Sequence, residues 1–509
     1  MKRTLSDRYE ENTELLTKEL NVDKNFDIIK HEFQSGASAF AFFSLTASGM
    51  ICPSFICSKT YRDWRKINKD PLSILQQRMI PNAEIERSQE VKEIATMVLA
   101  GQSALVVEDC DELLLIDARE YPIRSPEEPD LERVVRGPRD GFVETLVFNS
   151  ALIRRRLRDP SLMMEYLQIG RRSKTDIVIG YIGSIADPEL IRRLKKKLNG
   201  IEIDGLTMGE KTLEEFLFKK MMSPYPRVRY TERPDTVASH LLEGHVIIIT
   251  DGSPSVMIFP TTYWHHMQHA EEYRQEPIVG AFLRWVRLVA VFVSIFLLPV
   301  WFLLEENEAL VPEALSFIGI SESFSVPVFM QILIAEFGLE ILRMAAIHTP
   351  NALATASVLS PPFLLVKSLL KLGCFTSEIV LYTAVVAMAG YATPSYEMGL
   401  CNRLIRLGLI LSVGFFGPIV FFIALMAFFL TLVKTKTLNT PYMWPFLPFN
   451  GRAAADFLLR IPQPYKNNRP SIVHPIDKKK TAVMLPTLAC IAQMMQARHS
   501  HKDMNNRSS

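Results

Sequence analysis

The chain has 509 residues, room for about three domains, and 48% of them are hydrophobic with a mean hydropathy of +0.12, which is high for a protein with no lipid-facing part. Its 57 Lys and Arg nearly balance 55 Asp and Glu, so there is no basic excess to hold a nucleic acid and none is expected as a partner. The six cysteines, at 52, 57, 110, 374, 401 and 490, make no Cys-x-x-Cys pair, and two lie in apolar segments. Neither a disulfide framework nor a zinc site is expected from them.

The first 35 residues are densely charged, unlike the apolar core of a conventional signal peptide. Up to about residue 270 no uncharged run is long enough to cross a bilayer, and the longest apolar stretch, 37–51, is interrupted by Ser and Gly and reads as a buried strand. Two parts of this half share a pattern. Val91–Ala100, Gly101 and the apolar runs 104–107 and 113–116 match Thr236–Glu243, Gly244, 246–249 and 256–259. Each reads as a helix, a glycine stop and a β-hairpin. The second hairpin turns at Asp251, Gly252, Ser253 and Pro254, where Gly supplies the positive φ of a tight turn; the first has Glu108, Asp109, Cys110 and Asp111. Between them, 176–181 is strand-like, and Asp187 with Pro188 opens a basic helix to about Leu198. The expected fold class is an α/β cytosolic N-terminal half of two small tandem subdomains, 1–140 and 141–275, followed by a polytopic α-helical membrane domain, 276–436, and a cytosolic tail, 437–509.

Character changes at Glu276 and Pro277. The 19 residues from Val286 to Leu304 carry no charge apart from Arg287, the length needed for a hydrocarbon core of about 30 Å. Arg274, Arg284 and Arg287 stand at its start, while Glu305, Glu306, Glu308, Glu313 and Glu322 follow with no Lys or Arg before Arg343. The positive-inside bias puts the N-terminal half in the cytosol. Further apolar segments are 326–347, 352–373, 379–392 and 404–433. The last, as one helix, would be about 45 Å long, and a bend is expected at Gly414–Pro418. Lys434, Lys436 and Lys478–Lys480 imply a cytosolic C-terminus and an even number of crossings, four by first choice and six by second; Arg403 and Arg406 then require a tilt or kink. The tail beyond Lys436 has little periodicity and is expected to be mobile or a docking arm.

Glu336, Glu340 and Arg343 share one helix face by their spacings of four and three. Ionisable groups in lipid face a bundle interior or water, so they either line an ion path or form a Glu340–Arg343 ion pair that locks helices. Lys367 and Lys371 follow Pro361 and Pro362; a broken helix can mark an ion route, but two lysines snorkelling into headgroups is the preferred reading. His265 and His269 would share a helix face and, with His266, could be read as metal ligands. Without a nearby Cys no metal is expected there. Arg154, Arg155, Arg156, Arg158, Arg171, Arg172 and Lys174 form a basic set that either attracts anionic lipid or an acidic partner, or is a solvated helix face. No phosphate-binding Gly loop, nucleophile elbow or His-Glu-x-x-His is present, so no enzyme activity and no cofactor are expected.

The run Arg124–Thr145, with Glu127, Glu128, Pro129, Arg136, Gly137, Arg139 and Gly141, followed by Asn149–Asp159 with its three arginines, resembles the A-subunit family of spore germinant receptors. Ser173–Ile182, Ala186–Leu190, Asp251–Pro254, Glu272–Pro277 and Thr393–Glu397 extend the resemblance over roughly residues 80–460. The His265–Tyr273 stretch and the Pro-Glu-Glu-Pro-Asp form resemble the stage V sporulation AF branch. The resemblance implies a multi-pass protein of the inner spore membrane acting in germination. It also implies homo-oligomerisation through the bundle into an ion conduit, beside other germination membrane subunits; the alternative expectation is a non-conducting accessory scaffold for a germination receptor or channel. Residues 45–80 depart from the family pattern, as do Pro361, Pro362, Lys367 and Lys371, which put basic groups where carboxylates are usual and so put cation passage in doubt.

Overall fold

The computed structural model describes residues 3–35, 38–46, 84–117, 132–218, 223–307, 326–348 and 375–480 apart from 463 and 465, with a few isolated positions besides. After helix α1 (Tyr9–Glu19), strands β1 (Ile28–Ser35), β2 (Ser38–Leu45) and β3 (Glu84–Ser88), helix α2 (Val91–Leu99), β4 (Ser103–Val107) and β5 (Leu113–Asp117) build an antiparallel sheet of order β1-β2-β4-β5-β3. A second set follows: α3 (Leu146–Arg156), β6 (Leu162–Ile169), β7 (Thr175–Ile182), α4 (Pro188–Asn199), α5 (Glu210–Phe218), β8 (Arg229–Thr231), α6 (Pro234–Glu243), β9 (Val246–Thr250) and β10 (Val256–Phe259). Its order, β6-β7-β9-β10-β8, repeats the first strand for strand.

The apolar runs are continuous because both sheet faces are covered. Ile247, Ile249, Val256 and Ile258 pack with Ile153 of α3 and Val237 and Leu241 of α6. Alternate residues Val246, Ile248, Met257 and Phe259 pack with Leu190 and Leu194 of α4 and Leu213 and Leu217 of α5. The period of two thus splits one strand between two cores. Asp187 caps α4 by accepting from the Glu189 amide at 2.9 Å, ahead of Pro188 at the first helical position. Gly244, at φ 104°, ends α6.

The two sheets are pinned through a buried arginine. Arg154 donates to Asp27 at 2.7 and 3.2 Å and to Asn25 at 3.0 Å, and Asn25 accepts from the Met164 amide at 2.8 Å. This corrects the basic-patch expectation for Arg154, which is wholly buried. The remaining basic residues at 155, 158, 171, 172 and 174 are exposed.

The helical part comprises α7 (Ala270–Arg274), α8 (Pro277–Glu306), α9 (Val328–His348), α10 (Ser377–Tyr391) and α11 (Tyr396–Lys434), followed by α12 (Gly451–Leu459). Among the described residues, α8 and α11 are the two helices long and apolar enough to cross a membrane. The apolar segment 352–373 lies outside the described residues.

Helix α11 is not one rod. At Gly417 the backbone leaves helical geometry (φ 77°, ψ −169°), just before Pro418. Tyr225 donates to Asn402 at 2.9 Å while its ring lies 6.1 Å from that of Phe428; on a straight helix those two residues would stand about 39 Å apart. The segment is therefore a helical hairpin whose tip is residues 414–418. Both of its ends return to the α/β half, where the Thr437 hydroxyl donates to the Thr261 carbonyl at 2.6 Å and the Tyr442 hydroxyl to the Pro226 carbonyl at 2.7 Å. The sequence expectation of a bend is met, but the bend reverses the chain. Gly414 is required at the tip because a Cβ there would collide with the Phe329 ring.

The tail departs from the expectation of mobility as far as residue 480. It straps the second sheet: Arg460 donates to the Tyr273 and Gln275 carbonyls, both at 2.6 Å, and the Ile476 amide to the Ile185 carbonyl at 2.9 Å.

Candidate functional site in the helical bundle

The residues with most to explain are the charges inside the bundle. On α9, Ile332, Glu336, Glu340 and Arg343 recur at spacings of four, four and three, one stripe along the helix. Glu336, 5% exposed, accepts from Nη2 of Arg406 at 2.6 Å and from its Nε at 3.1 and 3.2 Å. Arg406, 3% exposed, spends its remaining nitrogen on the Ser294 carbonyl of α8 at 2.7 Å. One guanidinium thereby joins α8, α9 and the first arm of the α11 hairpin. Such planar, forked bonding suits Arg and not Lys.

One turn along, Glu340 accepts from Arg343 at 2.6 and 3.1 Å and from Arg403 at 3.1 Å. Arg343 also reaches the Tyr396 hydroxyl at 3.3 Å and lies over that ring at 5.6 Å. The Glu340–Arg343 pair expected from the sequence is present, and Arg403 adds a second cation to it. At the far end of α9, Gln331 is wholly buried and accepts from the Thr376 amide at 2.9 Å, fixing the start of α10.

Sequence reasoning treated Arg403 and Arg406 as obstacles to a straight helix and missed their role. Their spacing of three in an otherwise apolar run complements the spacing of four between Glu336 and Glu340, and that opposite-sign match was the available signal. Lys367 and Lys371 lie outside the described residues.

A second ionic node sits where the bundle meets the α/β half. Glu272, wholly buried, pairs with Arg284 at 2.7 Å and with Arg287. The Arg284 guanidinium lies 5.3 Å from the Tyr273 ring and 5.4 Å from Phe457 of α12, and it donates to the Phe457 carbonyl. Gly280 permits this approach, since a Cβ there would strike the Glu272 carbonyl.

The histidines belong to this junction. His265 and His269 do not share a helix face: residues 263–267 form a 3₁₀ turn, Gln268 is extended, and His269 caps α7. His265 stands 5.4 Å from His245 and 6.1 Å from His240, ring to ring. Burial is the first cause that holds His265 well below the ordinary value and pushes His245 down to about 4 and His240 to about 3.

The motif residues serve the architecture. The Leu146 amide donates to Asp251 at 3.0 Å and the Gly252 amide to the Glu144 carbonyl at 2.8 Å, so the start of α3 clamps the β9–β10 turn beside Pro254. Gly137, at φ 131°, lies under the Arg274 guanidinium, where a Cβ would collide. Arg156 pairs with Asp140 at 2.6 Å, next to Gly141, while Arg136, Arg139 and Arg155 are exposed. Glu127, Glu128 and Pro129 lie outside the described residues.

The family model for the Bacillus/Clostridium GerA spore germination protein matches residues 14–472. The chain belongs to the GerA spore germination family. Among curated GerA relatives it is 47% identical to stage V sporulation protein AF of Bacillus subtilis (strain 168) over 414 residues, 81% of this chain and 84% of that one. It is 30% identical to spore germination protein B1 of the same organism over 76% of this chain and 80% of that one. Among solved structures, the N-terminal domain of the A subunit of the Bacillus megaterium spore germinant receptor GerK3 matches with a TM-score of 0.37 and 24% identity, over 51% of this chain and 96% of that chain. The GerA match covers both the strand-and-helix motifs and the bundle that carries Glu336 and Arg406.

Proposed function

We propose that this chain is a non-enzymatic, multi-pass germination protein of the inner spore membrane, whose bundle assembles with further copies into an ion conduit controlled by the ion pairs between α9 and α11. The observation that carries this reading is the Arg406 node. A carboxylate and a guanidinium placed deep between apolar helices are costly in lipid and are kept where a polar path or a switch needs them.

The contacts support a simple crossing order. α8 leaves the cytosolic half; α9 returns, with Phe329 beside Phe302 at 5.8 Å and Arg343 beside Tyr396 near the foot of α11. α10 starts next to Gln331, on the far side, and ends at the foot of α11. α8, α9 and α10 account for three of the four crossings expected from the sequence, and α11 is a hairpin entering from the cytosolic side. Other germination membrane subunits are the natural partners, by analogy with the germination proteins to which the chain is similar.

Three guanidiniums face two carboxylates, from Arg343, Arg403 and Arg406 against Glu336 and Glu340. Both of these carboxylates are thus already paired, which favours a second reading: a scaffold whose ion pairs only lock helices. Reconstitution in liposomes separates the two. Ion flux from verified oligomers, altered by Glu336→Gln or Glu340→Gln with membrane insertion intact, supports the conduit; replacing K⁺ or Cl⁻ in turn gives the sign of the ion. Absence of flux from intact oligomers, or flux indifferent to both substitutions, supports the scaffold.

A further inference from the structure

The segment that follows the α11 hairpin carries an apolar tip that the rest of the chain leaves uncovered. Leu447, Pro448 and Phe449 are all exposed, Phe449 to 75%. Their loop is closed by its own backbone: the Leu447 amide donates to the Met443 carbonyl at 3.1 Å and the Asn450 amide to the Pro445 carbonyl at 2.8 Å. The Asn450 side chain then caps α12 by accepting from the Ala453 amide at 3.2 Å. At its base, Phe446 and Phe457 both lie against Trp264, with ring centroids 4.5 and 5.3 Å apart. A closed loop on an aromatic base cannot turn its outer residues inward, so these three apolar side chains meet whatever surrounds the protein there.

The packing of α12 on α8 indicates what that is. The Arg460 side chain lies against Gly280, and the Phe457 carbonyl accepts from Arg284. α12 therefore runs antiparallel to α8, and its start, with the loop before it, points along α8 away from the α/β half. In that direction α8 exposes the stripe Ile278, Phe282, Trp285, Val289 and Phe292, at spacings of four, three, four and three. Exposed cations flank the loop: Lys434 and Lys436 where the hairpin ends, next to the Tyr442 amide that donates to the Thr435 carbonyl at 3.1 Å, and Arg452 in the first turn of α12. None of these cations makes an ion pair among the described residues. Of the carboxylates nearby, Asp456 pairs with Lys466 at 4.0 Å and Glu276 is exposed.

We propose that residues 444–460 form an in-plane anchor in the cytosolic leaflet of the membrane, with Leu447, Pro448 and Phe449 entering the acyl boundary and Lys434, Lys436 and Arg452 meeting anionic lipid headgroups. The anchor rests on the reading that α8 crosses the bilayer. An apolar tip on a Trp-containing base, flanked by cations, suits the boundary between headgroups and acyl chains. As a protein interface the same tip falls far short of the about 800 Å² per partner that a stable contact buries. So placed, the anchor holds the start of α8 and the foot of the α11 hairpin at one depth.

The test puts the photo-crosslinker p-benzoylphenylalanine in place of Phe449 in the full chain, reconstituted in vesicles of phosphatidylcholine and phosphatidylglycerol, and reads the adducts by mass spectrometry. Separate samples carry it in place of Val289 on α8 and of Met208, which is exposed on the α/β half. Lipid adducts are expected at positions 449 and 289, the yield at 449 exceeding that at 208 roughly tenfold, as a phenylalanyl ring partitions between lipid and water. Leu447 serves as a second position should the variant at Phe449 fail to fold. Lipid adducts at 289 with none above the level of 208 at 447 or 449, or crosslinks from 449 to a second copy in place of lipid, would overturn the anchor and leave the crossing intact. Absence of lipid adducts at 289 would overturn the crossing, and the anchor with it.

Discussion

The two five-stranded sheets share one strand order, yet among the described residues it is the second that is wired to the bundle. β4 and β5 of the first pack their two faces on α1 and α2 and on Leu72 and Leu75. The second meets the bundle through Tyr225, which holds Asn402, and through Thr261, which holds the chain leaving the hairpin. Its Glu272–Arg284 node follows within a few turns. Among the described residues, the first sheet is joined to the second through Arg154 and through Asn25 and Phe26 at Met164. One strand order therefore carries two different duties, and what separates them is not the strands but the segments that follow β10.

Breaking the link between the sheets should have the largest effect. Arg154→Ala leaves Asp27 buried without its cation, at a cost of about 3–5 kcal/mol, and hydrogen exchange should show β1 and β6 losing protection together. Replacing both partners by apolar residues of similar volume should recover most of that loss.

Acid should separate the sheets next. His31 is the lone histidine of residues 1–140, whereas the second sheet buries His240, His245, His265 and His266. Their folded values lie below the ordinary 6.5, with His245 at about 4 and His240 and His266 at about 3. The unfolded chain therefore takes up protons first. This contribution to stability is full above pH 6.5 and is lost as pH falls from 6.5 toward about 4. Exchange at about pH 5 should expose β9 before β4; equal loss in both strands would contradict the assignment.

Tyr225→Phe tests the wiring. It strips Asn402 of its donor, worth about 1–3 kcal/mol, and should loosen α11 while both sheets keep their protection. The smallest contrast lies in the turns. Gly252 stands at φ 83° and Asp109 at φ 60°. Gly252→Ala should cost about 1 kcal/mol in thermal unfolding, and Asp109→Gly should change stability by less.

Local patterns were legible where chemistry is local. The Asp187–Pro188 start of α4, the Gly244 stop, the β9–β10 turn at Gly252 and the apolar run of α8 all follow from backbone geometry and from the period of side chains along a few residues. Repetition of helix, glycine and hairpin also pointed to two like subdomains, and the shared strand order agrees with it.

What the sequence by itself determined was the type of several elements, among them α4, α6, the β9–β10 hairpin and α8, because propensity, capping and periodicity act within one or two turns of chain. Pairings across long separations were decided only by the tertiary structure: Arg154 with Asp27, Arg406 with Glu336, and the reversal at Gly417 that brings Asn402 and Phe428 to one tyrosine. A charge in an apolar segment announces that it needs a partner, but the partner's position depends on how helices cross, which no short window of residues encodes.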